Sequence, residues 1–319
     1  MEHSTQPRAD LPVWYDENAH GRMRLSGSNA RALLHRLSTN HIEHLPLDRA
    51  LETVLTTPQG RSIDVLQVVH TATAVWVFTS AGQGPTVYTH LKKNIFFNDA
   101  VTLAPAANSH RQYALYGTGA TAWLAAQTGL DLAAVAADGC LAWGETMLIR
   151  CTALAGDGWR ILEPLARADG SPAALLPREQ LTQLDAATLS RFQIEAGVPA
   201  FGSEISLEYV PLESGLEAII HPAKGCYVGQ EIIARMQARN RRAKNLERVM
   251  LERAVTTPAA LTLADGTAVG LVTRVAATPH AGVIGFAFIS TKVDTTGPLL
   301  CEGVPVTRWA GEPTPQEAS

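Results

Sequence analysis

From Leu246 onward the chain loses its helical period, and what replaces it limits the fold more than any other stretch. Short β-type runs, Arg248 to Glu252, Ala268 to Val275, Val283 to Ile289 and Val304 to Arg308, are separated by Gly, Pro and Asp. Regular short strands within about 65 residues predict a small barrel or sandwich. Upstream the texture is mixed. A helix is expected over Ala30 to Thr39, followed by strands Leu51 to Thr56 and Ser62 to Val69 about the Pro58-Gln59-Gly60 turn. A third strand, Ala74 to Thr79, leads to a helix over Thr86 to Phe97 with Val87, Leu91 and Ile95 on one stripe.

A second cycle follows. It has a strand over Gln112 to Tyr116, a helix over Ala120 to Thr128, and strands Glu145 to Cys151 and Trp159 to Glu163 joined by Gly156-Asp157-Gly158, an Asp-Gly hairpin signal. A helix from Ala186 to Ala196, with Asp185 as N-cap candidate, ends at Gly197 with Pro199 barring continuation. The expected fold class is therefore α+β. An α+β body of two similar halves occupies 1–245, a β-rich domain occupies 246–312, and 313–319 is a disordered tail. The polar start Met1 to Asp10 is expected to fray as well.

The 319 residues suit about two domains, and 46% hydrophobic residues supply a large core. No run of about 18 apolar residues is present to span a bilayer. The start carries Glu2 and Asp10 in place of an apolar leader, so a cytoplasmic location is expected. Four scattered cysteines, Cys140, Cys151, Cys226 and Cys301, with no CxxC pair, predict neither a disulfide framework nor a bound metal. His41 and His44 stand three apart, with no third ligand near them in the sequence.

The net charge of −4 hides an asymmetry. From Pro222 to Arg253 eight basic residues face three acidic ones, a surplus of five, which leaves −9 on the rest of the chain. Such a strip on an acidic protein suggests an anionic partner at Arg235 to Lys244, such as RNA, a phosphate or a polyglutamate tail. The alternative is a solvated helix end whose cations complement the C-terminal dipole. The strip has no interleaved aromatics, which argues against RNA.

Lys224-Gly225-Cys226-Tyr227-Val228-Gly229-Gln230-Glu231 puts a lone thiol between two glycines just before a helical pattern begins at Glu231. A helix N-terminus and the ammonium of Lys224 both favour a thiolate at Cys226. The alternative is a small buried hydrophobe, which is what most free cysteines are. A second motif invites a different reading. Gly117-Thr118-Gly119-Ala120-Thr121-Ala122 follows a strand and opens a helix, as a dinucleotide fingerprint does. The antiparallel pairing implied by Asp157-Gly158 favours a structural turn there.

In the stretches Phe192 to Pro199, Val210 to Leu216 and KGCYVGQE, the chain resembles the YgfZ-type folate-binding proteins, relatives of aminomethyltransferase, the T-protein of the glycine cleavage system. The resemblance runs from about Gly21 to Trp309 and implies two related folate-binding α+β subdomains in a ring-like arrangement with a C-terminal β-barrel. It also implies tetrahydrofolate, or a one-carbon derivative, as cofactor. Glu195 is then the pterin anchor, because a carboxylate accepts the two parallel N–H donors of the pterin edge. Asp64, Tyr227 and Gln230 complete the candidate binding residues, with Tyr227 either stacking on a ligand or packing.

Transferases of this family set an aspartate beside the folate ring, and alignment of Gln59 to Leu66 puts Val65 at that place, with Asp64 beside it. Neighbouring strand residues point to opposite faces, so Asp64 is no direct substitute. The resemblance therefore implies folate binding without carbon transfer. The protein would serve iron–sulfur cluster assembly or repair through Cys226, with Lys224 biasing the thiol's charge and iron–sulfur client or assembly proteins as partners. A folate-dependent aminomethyltransferase, or another one-carbon transferase, is the second reading.

Overall fold

The computed structural model describes residues 11–154, 156–166, 176–239, 241–279 and 282–309. The termini expected to fray, 1–10 and 313–319, lie outside the described residues. The first half of the chain forms β1 (Val13–Asp16), β2 (His20–Ser26), α1 (Ala30–Leu37), β3 (Arg49–Thr56), β4 (Ser62–His70), β5 (Val75–Ala81), α2 (Gly84–Lys93) and β6 (Thr102–Pro105). A second set follows: β7 (His110–Tyr116), α3 (Ala120–Thr128), β8 (Cys140–Trp143), β9 (Thr146–Leu154), β10 (Asp157–Pro164) and β11 (Thr182–Gln183). Next come α4 (Ala186–Glu195) and α5 (Gln230–Arg239). The chain closes with β12 (Lys244–Leu251), β13 (Ala259–Leu263), β14 (Ala268–Thr278), β15 (Gly282–Ser290), β16 (Leu299–Cys301) and β17 (Val304–Arg308).

Two compact units result. The first comprises the described residues of Met1–Thr57, Ile63–Asp185 and Ala218–Val228, and the second those of Pro58–Ser62, Ala186–Glu217 and Gly229–Ser319. In the first unit a five-stranded sheet, β3-β4-β5-β2-β6, and a six-stranded sheet, β11-β1-β7-β10-β9-β8, pack on one another. β5 shows how alternation builds this. Val75 and Val77 face a core with Leu33, Leu34 and Leu37 of α1, while Trp76 and Phe78 face Ile149 and Leu162 of the other sheet. α1 buries Ala30, Leu33, Leu34 and Leu37, an i, i+3, i+4, i+7 stripe. α3 covers the second sheet through Ala120, Trp123 and Leu124.

The glycine turn at 117 is structural, and its geometry says why. Gly117 takes φ 106°, and the Ala120 amide donates to the Gly117 carbonyl at 3.0 Å. The same device joins β2 to α1, where Gly27 has φ 103° and the Ala30 amide donates to the Gly27 carbonyl at 3.2 Å. A side chain on Gly27 would press on the Ala100 carbonyl, so glycine is required there twice over. β7 is flanked by antiparallel partners, β1 and β10, which a dinucleotide-binding sheet does not have. The repeated strand–glycine–helix turn is the plainest sign of two similar halves.

In the second unit six antiparallel strands close into a barrel in the order β12-β15-β14-β13-β16-β17. β12 pairs with β15 on one side and β17 on the other. Val249, Leu261, Val272, Ala287 and Cys301 fill the interior. Outside it, α4 lays Ile194 against Ile284 and Phe286. Buried Glu204 receives the Ala200 amide at 2.9 Å and the Arg274 guanidinium at 2.8 Å, binding the segment after α4 to β14.

Candidate functional site: the loop of Cys226

The loop carrying Lys224, Cys226 and Tyr227 is stitched to the end of α1. The last carbonyls of a helix lack intrahelical partners and carry partial negative charge. Lys224 meets this need, its ammonium donating to the carbonyls of His35 and Ser38. In return the Nε2 of His35 lies 3.1 Å from the Lys224 carbonyl. The amides of His221 and Val228 donate to the carbonyls of Thr39 and Arg36, both at 3.0 Å, and the Thr56 hydroxyl donates to the Val228 carbonyl at 2.6 Å. Gly225 and Gly229 take φ values of 91° and 84°, which lets the chain turn on either side of the thiol.

This arrangement sorts the cysteines. Cys226 is exposed, Cys140 and Cys301 are buried, and Cys151 is intermediate. Burial pushes the thiols of Cys140 and Cys151 up to about 12 and raises that of Cys301 as well. Cys226 is therefore the thiol presented to solvent. Lys224 is only 5% exposed, and burial pulls its ammonium down to about 7. Its head is turned to backbone carbonyls and lies 5.0 Å from the Tyr227 ring centre. Tyr227 is half-buried, and burial lifts its hydroxyl to about 12.

Asp64 lies on β4 in the first unit with no exposed surface. Its two carboxylate oxygens accept the amides of Val65, at 2.9 Å, and Ser80, at 3.0 Å. Burial raises its pKa to about 6 against the pull of these hydrogen bonds. Val65, at the aligned transferase position, is half-exposed. Glu195 and Gln230 belong to the second unit. Glu195 ends α4, with 35% of its side chain exposed and one oxygen 3.3 Å from Arg191 one turn earlier. Its backbone carbonyl accepts from Arg248 at 2.6 Å. Gln230 opens α5, four residues after Cys226, so the thiol does precede a helix by one turn.

A histidine cluster escaped the sequence reading. His41, which stands beside His44 at 4.5 Å between ring centres, also meets His35 and His221, each at 5.0 Å. Residue 221 is far away in sequence, and no spacing rule links it to 41. Desolvation and neighbouring cations lower the pKa of both His35 and His41. Among the described residues no three His, Cys, Asp or Glu side chains are disposed to hold a metal ion. No described helix is long and apolar enough to cross a membrane.

The chain is similar to known proteins in sequence and in fold. The family model described as the GCVT N-terminal domain matches residues 12–224. The aminomethyltransferase of Moorella thermoacetica is 26% identical over 296 residues, 89% of this chain and 80% of that protein. The aminomethyltransferase of Exiguobacterium sibiricum is 26% identical over 288 residues, covering 88% and 79%. The crystal structure of glycine cleavage system aminomethyltransferase T from Bartonella henselae superposes with a TM-score of 0.82 at 17% identity, covering 94% of this chain and 85% of that one. At that identity the likeness is one of fold.

Proposed function

The chain belongs to the GCVT N-terminal domain family, and from that premise we propose that it binds tetrahydrofolate or a one-carbon derivative without carrying out aminomethyl transfer. It acts, in this reading, as a YgfZ-type accessory protein in iron–sulfur cluster assembly or repair. The observation that carries the thiol's part is the exposure of Cys226 on a loop braced from beneath, while Cys140 and Cys301 are buried and Cys151 is intermediate. An exposed sulfur held on a fixed loop suits transient ligation of iron or attack on a sulfur species. Iron and sulfur enter this scheme as cargo.

Glu195 supports the folate part. Its partly open carboxylate, steadied by Arg191 and by the Arg248 contact to its own carbonyl, suits the paired N–H donors of a pterin. Calorimetric titration of the intact protein and of Glu195→Ala with folinic acid tests it. Binding abolished by that change is the expected result, and no heat with either protein defeats the folate reading. Replacing Cys226 with Ala should lower the activity of several iron–sulfur enzymes in cells, and unchanged activities would remove the thiol from the scheme.

The names of the relatives favour a second reading, a folate-dependent aminomethyltransferase. A catalytic acid of that kind must reach cationic charge developing on the substrate. Asp64 is enclosed, with both oxygens held by backbone amides, and its neighbour is a valine. Formation of methylenetetrahydrofolate from an aminomethyl donor by the purified protein would establish transfer and overturn the first reading.

A further inference from the structure

The basic strip is only partly spent on the fold. Arg235 pairs with Glu231, Arg242 with Glu217, Arg248 lies 5.1 Å over the ring of Trp309, and Lys244 lies 4.3 Å over Tyr209. Arg241 is exposed, and among the described residues neither it nor Lys292 has an acidic partner. These two cations, from chain segments fifty residues apart, border one recess of about 830 Å³ in the second unit, together with Arg242, Asn245 and Thr291. That volume is within the range of small-molecule sites.

The recess has fixed walls. The Thr291 amide donates to the Ala243 carbonyl at 3.1 Å, and its hydroxyl donates to the Arg242 carbonyl. Just below, Lys244 of β12 pairs with Ser290 of β15. A second feature points to a ligand: the side-chain oxygen of Asn245 is buried and accepts no hydrogen bond. An acceptor left so costs free energy unless a donor arrives. Cations without counterions and an acceptor without a donor ask for one molecule that carries both an anion and an N–H or O–H group.

We propose that the recess between the end of α5 and the turn after β15 binds an organic phosphate monoester bearing hydroxyl groups. The phosphate would lie on Arg241, Lys292 and the outer face of Arg242, where guanidinium forks match its oxygens. A hydroxyl would donate to Asn245. None of these residues takes part in the folate or thiol reading, so the two stand or fall separately.

The test is calorimetric titration of the full chain with ribose 5-phosphate, inorganic phosphate and ribose at low salt. Ribose 5-phosphate should saturate one site. Arg241→Glu and Lys292→Glu, both at exposed positions, should each weaken it by about tenfold or more while leaving the melting temperature in place. Asn245→Ala should weaken ribose 5-phosphate but not inorganic phosphate. Absence of saturable binding, or binding indifferent to the charge reversals, overturns the proposal. So does a single-stranded oligoribonucleotide that binds through Arg241 and Lys292 while ribose 5-phosphate fails to displace it.

Discussion

Lys224 and His35 hold each other reciprocally: the Lys224 ammonium donates to the His35 carbonyl, and the His35 ring meets the Lys224 carbonyl at 3.1 Å. The ring's other nitrogen faces the Glu43 amide at 3.4 Å, so the tautomer protonated on Nε2 satisfies both contacts. The residue in the KGC motif that looked like an electrostatic activator of the thiol is thus also the cap of a helix. Replacing Lys224 with Met leaves the His35 and Ser38 carbonyls without that donor and should cost about 1–3 kcal/mol. Faster hydrogen exchange at His221 and Val228, together with a lower melting temperature, would register it. A variant indistinguishable from the parent in both would show that the brace carries nothing.

The same lysine sets a pH dependence. Its folded pKa is about 7 against an ordinary 10.5, because burial disfavours the ammonium. Between these values the unfolded chain holds a proton that the folded chain has released, so this group makes stability rise with pH across that window. Urea unfolding of the parent and Lys224→Met from pH 7 to 10 should show the parent gaining relative to the variant. A constant difference between them would refute the assignment.

Asp64 behaves with the opposite sign. Its folded pKa of about 6 exceeds the ordinary 3.8, so the folded chain holds the extra proton between them. The stabilisation is complete below 3.8 and is lost as pH rises through 6. Asp64→Asn should remove that slope, and a slope that persists in the variant would locate it elsewhere.

Alkylation should distinguish the thiols. At neutral pH under native conditions iodoacetamide should modify Cys226 first, and Cys140 and Cys301 only on unfolding. Cys226→Ser should abolish the fast phase, which mass spectrometry of the peptides would reveal. Early modification at 140 or 301 would contradict the burial described above.

Glu204 and Arg274 form a buried ion pair in the second unit, with the Thr273 hydroxyl also donating to the carboxylate. Truncating one member leaves the other charge enclosed. Arg274→Met should therefore destabilise the protein by about 3–5 kcal/mol. Denaturant unfolding would show a loss within the error of the measurement if the pair is dispensable.

Much of this was legible in the chain because local rules dominated. Helix α3 runs over the residues its pattern announced, Ala120 to Thr128, since Gly119 and Gly129 bracket an apolar face. The antiparallel pairing of β9 with β10 and the strands of the barrel followed from turn chemistry and alternation, but Asp157 and Gly158 open β10 rather than form the turn, with Asp157 opposite Leu154. Short strands such as β13 and β16 were missed, being fixed by their neighbours rather than by their own composition. The site was harder to read. The thiol's exposure and its place one turn before α5 agree with the motif, but the work of Lys224 depends on two carbonyls about 190 residues upstream in sequence, which no local pattern reveals. The meeting of His41 with His221 was hidden for the same reason.

Because β12 is hydrogen-bonded on both flanks, the C-terminal cylinder has no bare strand margin. A neighbouring molecule finds no ladder of unused amides to extend, so this part of the chain is shielded from templated fibril growth even when crowded. Among the described residues the two sheets of the first unit do not close: one ends at β3 and β6 and the other at β8 and β11, with bridges from Ser38 to Leu55 and from Gly139 to Arg49 partly covering β3.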